Sequence, residues 1–172
     1  MTAFDIESFR KATWLREPPE ISVLGAASFS EFTLHVERLT CERKNELSND
    51  EIGLLGFWST RDGDPSGPIL QGFAFSTAGQ SQDPKLSIGL ANFASDQILF
   101  LLLFEEDEPP IDPHDMLGLI AVFPNLSINV FVGDIGMRSR PEAAKVIPGK
   151  PTTVQFDAGS KGQYSTAIRI DK

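Results

Sequence analysis

The sequence predicts an all-β fold, an antiparallel β-sandwich of about eight strands, and three observations carry that prediction. Apolar residues recur with period two in several short stretches, as in Phe32, Leu34 and Val36 set against Thr33, His35 and Glu37, the pattern of a strand with one buried face. Turn-forming Gly, Pro, Asp, Asn and Ser punctuate the chain at short intervals, the spacing of a sandwich rather than of alternating strands and helices. One run, Ile98 to Phe104, holds seven apolar residues in succession. That is far short of the roughly 20 residues a membrane helix needs, and its Leu and Phe content suits a strand buried on both faces.

Taken in order, the first 30 residues read as an arm. Asp5 to Arg16 is expected to form a short helix with Ile6, Phe9, Trp14 and Leu15 loosely on one face. Pro18-Pro19 ends it, Gly25-Ala26-Ala27-Ser28 links it onward, and Trp14 packs it on the main body. The sandwich domain occupies residues 31–172. Its first strand is the alternating stretch from Phe32. Glu51 to Trp58 is the second, with Gly53 and Gly56 marking bulges or close backbone approach. Asp62-Gly63 is the dipeptide a tight hairpin favours, so Ile69 to Ser76 should return alongside.

Leu86 to Leu90 and then the run from Gln97 to Phe104 follow. Leu117 to Phe123 and Ser127 to Val132 form a pair joined at Pro124-Asn125. Residues 133–151 read as a long irregular connection with one helical turn at Glu142 to Lys145. Thr152 to Phe156 and Gln163 to Ile170 close the chain as a hairpin.

Composition narrows the function classes. The single cysteine, Cys41, excludes an internal disulfide framework and a Cys-based zinc site. The first residues have neither a basic segment nor a continuous apolar core, so no signal peptide is read and a cytoplasmic location is expected. A net charge of -9 argues against a nucleic-acid partner. There is no phosphate-cradling glycine loop, no Gly-x-Ser-x-Gly elbow and no paired-histidine zinc motif, so an enzyme is not expected. His35 and Cys41 invite a base and nucleophile pairing, but Cys41 reads better as a small buried hydrophobe.

The informative charge is local. Glu105 to Asp115 carries six carboxylates, three prolines and no Lys or Arg. A second acidic loop, Cys41 to Glu51, also follows an apolar strand. If both loops leave the same end of the sandwich, their carboxylates can converge on a hard cation, which takes six to eight oxygens in flexible geometry.

Leu39-Thr40-Cys41 followed by Ser48-Asn49-Asp50-Glu51-Ile52 resembles the first loop of C2-type β-sandwich domains. Phe104-Glu105-Glu106-Asp107, an acidic spacer and Asp115-Met116-Leu117-Gly118 resemble their third loop. The resemblance covers about residues 32–123. It implies a non-enzymatic C2-like binding module with Ca2+ as cofactor at one tip, held by Asp50, Glu105, Asp107 and Asp115, and a membrane surface as partner where that calcium site exists. Glu105 stands where an aspartate is usual, and the interval from Asp107 to Asp115 is longer than such loops allow. The alternative is a small acidic interaction module, an immunity protein or inhibitor, whose 105–115 loop docks a basic protein partner.

Overall fold

A computed structural model of the chain describes residues 29–44, 47, 49–60, 66–93, 97–106, 116–123, 126–132 and 142–172. The expected N-terminal helical arm therefore lies outside the described residues, apart from the last two positions before residue 31. Eleven strands are described: β1 Phe29–Arg43, β2 Asp50–Thr60, β3 Ser66–Phe75, β4 Ser81–Gln82, β5 Leu86–Phe93, β6 Gln97–Glu105, β7 Met116–Val122, β8 Ser127–Val132, β9 Glu142–Lys145, β10 Thr152–Asp157 and β11 Gln163–Asp171. They make two antiparallel sheets. One has the order β10-β11-β1, with β5 and β4 sharing the far edge of β1; the other has the order β3-β2-β6-β7-β8-β9. The predicted sandwich is the observed architecture, and β1 and β6 are interior strands of their respective sheets.

β1 shows how the pattern works. Phe32, Leu34 and Val36 face the core while Thr33, His35 and Glu37 sit on the wetter side. A bulge between Val36 and Arg38 then adds one residue against β11. A one-residue insertion reverses which side chains point inward, so Leu39 and Cys41 turn into the core. His35 and Cys41, an even number of positions apart, thus end on opposite faces.

β6 is buried on both faces as its composition predicts. Leu99, Leu101 and Leu103 join the inter-sheet core with Leu34, Val36 and Ile168. Phe100, Leu102 and Phe104 instead join Leu55, Phe57, Met116 and Leu119 in a second cluster, drawn entirely from β2, β6 and β7. Burying one such side chain contributes roughly 1.5–3 kcal/mol. The outer cluster as a whole is therefore comparable with the net stability of an entire domain, about 5–15 kcal/mol.

The glycines of β2 serve close approach. A Cβ at Gly53 would fall within the ring of Phe104 on the neighbouring strand, and one at Gly56 would strike Ile88 from the opposite sheet. A register shift between Gly56 and Trp58 adds the bulge the glycines also suggested.

One expectation fails. Glu142 to Lys145 is not a helical turn but strand β9, paired with β8 from Ser127↔Lys145 to Val130↔Glu142. Glu, Ala and Lys favour helix when nothing else acts on them. Here the open edge of β8 offers backbone partners, and a four-residue segment gains more from that ladder than from one helical turn.

Candidate functional site

Both acidic loops leave the same end of the sandwich, which the strand registers establish. Ile52, two residues into β2, is paired with Glu105, the last residue of β6. The Glu106 N–H donates to the Glu51 carbonyl at 2.7 Å. Met116, which opens β7, is paired with Phe104. The end of β3 and the start of β11 are there too, through Asp50↔Phe75 and Arg43↔Gln163.

Of the four predicted ligands, the structure brings Asp50 and Glu105 to this end. Asp107 and Asp115 lie outside the described residues. Neither Asp50 nor Glu105 sits on an open loop. Asp50 is 1 % exposed and Glu105 8 % exposed, because alternation along β2 and β6 turns both toward the space between the sheets. The phenol of Tyr164 donates to Asp50 Oδ2 at 2.7 Å, a short bond of the kind a charged acceptor makes. The thiol of Cys41 is 4.0 Å from the same oxygen. Cys41 and Tyr164 are themselves cross-strand partners in β1 and β11, so a single register brings a thiol and a phenol onto one carboxylate.

The electrostatics follow from burial. The Tyr164 phenol is held well above its ordinary pKa, first by burial, then by its hydrogen bond to Asp50 and by the nearby Asp50, Cys41 and Glu105. Burial, followed by the charge of Asp50, pushes the Cys41 thiol up to about 11, with Lys44 opposing and Glu42 adding to the rise. At neutral pH the thiol is protonated, and a thiol is a poor nucleophile. His35 is occupied elsewhere: Nδ1 is 2.8 Å from Ser87 Oγ and Nε2 is 3.1 Å from Asp171 Oδ2. Six residues of strand, roughly 20 Å, separate it along β1 from Cys41.

Backbone and side-chain ties hold the rim of this end. The Gly79 N–H donates to the Cys41 carbonyl at 2.7 Å, and the Cys41 N–H to the Gln80 carbonyl at 3.0 Å. Arg43 Nη2 donates to the Gly159 carbonyl at 2.7 Å and lies 3.3 Å from Asp157 Oδ1. Lys44 Nζ donates to the Ser76 carbonyl at 3.1 Å, and Ser165 Oγ to Glu42 Oε1 at 2.6 Å. The basic side chains of the first loop thus bind down onto neighbouring turns, while Glu51 faces solvent.

Sequence reasoning missed Tyr164 as a site residue. Its inward position on β11 follows from alternation, but its partner is 114 positions away, and no local pattern reports that pairing. Among the described residues, no group of three or more His, Cys, Asp and Glu is placed to hold a metal ion. No described helix is long and apolar enough to cross a membrane.

No family model and no curated protein matches the sequence. Among solved structures, the chain is similar to part of CC2D1B, described as coordinating ESRCT-III activity during mitotic reformation of the nuclear envelope. That likeness has 9 % identity and a TM-score of 0.48, covering 83 % of this chain and 54 % of that one. It is also similar to part of human GIVD cytosolic phospholipase A2, at 14 % identity and a TM-score of 0.42, covering 86 % of this chain and 18 % of that one. The chain thus spans about half of the first of these and under a fifth of the second.

Proposed function

We propose that this chain is a non-enzymatic, C2-like binding module whose binding end is the pole where β2 begins and β6 ends. The observation that supports this is the meeting of Asp50 and Glu105 at that pole, with Ile52 paired to Glu105. The protonated, buried state of Cys41 and its separation from His35 support the non-enzymatic part of the reading.

Calcium is the ligand proposed for this end. Asp50 and Glu105 alone do not fit it: two carboxylates fall short of six to eight oxygens, and Asp50 Oδ2 already accepts the Tyr164 phenol. A calcium shell here requires Asp107 and Asp115, with Glu105 beside them and Asp50 fixing the base of the loop. A ligand that binds only the folded state raises its melting temperature. Millimolar calcium should therefore raise the melting temperature of the unmodified protein, and the double substitution Asp107→Asn, Asp115→Asn should abolish that rise. A melting curve indifferent to both calcium and chelator would end the calcium reading.

A second reading keeps the same pole and replaces the ion by a basic protein partner. The surplus of carboxylates in the 105–115 loop, within a chain of net charge -9, favours it. Charge steering would make association fast and strongly salt-dependent. Neutralising Glu106 and Asp112, with the buried Glu105 left intact, should then slow association with a basic partner without lowering the melting temperature of the fold.

A further inference from the structure

The second apolar cluster lies on the face of the six-stranded sheet that looks away from the other sheet. Leu102 is 0 % and Leu119 1 % exposed there, and Phe104, Met116 and Leu55 are equally buried. Side chains standing on a pleated sheet keep their tips in contact with solvent unless something lies over them. All members of the cluster come from β2, β6 and β7 of one sheet, so among the described residues no strand covers that face.

We propose that the N-terminal arm, residues 4–16, docks on this face. The cover must be apolar, and the longer stretches outside the described residues that follow β1 are poorly suited, while residues 17–28, with Ile21, Val23 and Leu24, form the connection to β1. Residues 107–115 offer only Ile111 amid carboxylates and prolines, and 133–141 offer Ile135 and Met137 amid Gly, Asp and Arg. Residues 4–16 supply Phe4, Ile6, Phe9, Ala12, Trp14 and Leu15. Ile6, Phe9 and Trp14 fall within about 140° of the helix circumference, centred near Ile6, which makes them a loose apolar stripe on one face.

The dimensions agree. From Phe100 to Phe104 the face runs about 13 Å along the strand, and the three strands span about 10 Å across. A helix from Asp5 to Arg16 would be about 18 Å long and about 10 Å wide. The 12 residues from Glu17 to Ser28 reach up to about 40 Å when extended, ample to pass from the start of β1 around to the outer face of the other sheet.

The test uses the full chain carrying Trp58→Phe, so that Trp14 is the only tryptophan. Its emission should be blue-shifted and shielded from acrylamide. Adding Phe9→Asp should shift the emission to the red, raise quenching several-fold and create binding of a hydrophobic dye, while the far-ultraviolet signature of the sheets persists. Lys11→Ala, off the apolar stripe, should change none of these. Trp14 quenched like a free indole in the parent, or Phe9→Asp leaving both dye binding and Trp14 emission unchanged, would overturn the proposal. So would a concentration-dependent blue shift that tracks dimer formation, since a second copy would then be the occupant.

Discussion

The contact between Tyr164 and Asp50 can be put to a quantitative test. Tyr164→Phe removes one oxygen and keeps the ring, so the tilted packing against Phe75, with centroids 6.3 Å apart, is retained. What is lost is a 2.7 Å donor to a carboxylate that is almost wholly buried. A hydrogen bond to a charged group contributes roughly 1.5–3 kcal/mol net. In a chain of this size each kcal/mol moves the melting temperature by about 2–4 °C, so the variant should melt roughly 3–12 °C lower. The Cys41 thiol, 4.0 Å from the same oxygen, is too distant and too weak a donor to substitute. The assay is urea unfolding followed by far-ultraviolet circular dichroism, repeated for Asp50→Asn and for the double variant. The coupling between the two sites should match the single-variant loss in size. If Tyr164→Phe stays within about 0.5 kcal/mol of the parent, the margin within which independent sites simply add, the contact does not hold this end together.

Two more outcomes follow from the same geometry. Cys41 and Tyr164 are both kept protonated by the fold beyond their ordinary values of 9.0 and 10.0, so their contribution is full below about pH 9 and declines as the pH rises. Stability should fall first through the Cys41 window from 9.0 to about 11 and then further as Tyr164 resists ionising. Urea midpoints measured from neutral to strongly alkaline pH should show a shallower decline in a Cys41→Ala, Tyr164→Phe variant. Gly53→Ala should destabilise by about 1–3 kcal/mol, as overpacking does, because its Cβ would enter the Phe104 ring. Gly89→Ala, whose Cβ would meet nothing nearer than Thr33 Oγ1 at 3.9 Å, should be close to neutral in the same urea assay.

What could be read in advance was what local pattern encodes. β6 announced itself by an apolar run on both faces, and β1 by its alternation. Asp50 and Glu105 were legible as acids at strand boundaries because each follows or precedes an apolar stretch. The inward aim of both carboxylates was not legible, since it depends on register. Tyr164 was hidden because its partner comes from a strand more than a hundred positions away. β9 was misread because Glu142-Ala143-Ala144-Lys145 has helical preferences, and the β8 edge that overrides them is a tertiary fact. The position of the bulge after Val36 was not legible either, although it decides that Cys41 is a core residue while His35 is not.

β1 also constrains how the molecule comes into being. Its Thr33 lies opposite Asp171, 138 positions later, and the ladder continues to Arg43↔Gln163. At a synthesis rate of about 5–20 residues per second, β1 gains β5 on one side early but waits roughly 7–28 s for β11 on the other. During that interval Phe32, Leu34 and Val36 have no finished sheet to shelter in. Nascent chains of this protein should therefore lean on holding chaperones until β11 emerges, and the completed sheet should appear only once the hairpin of β10 and β11 clears the ribosome.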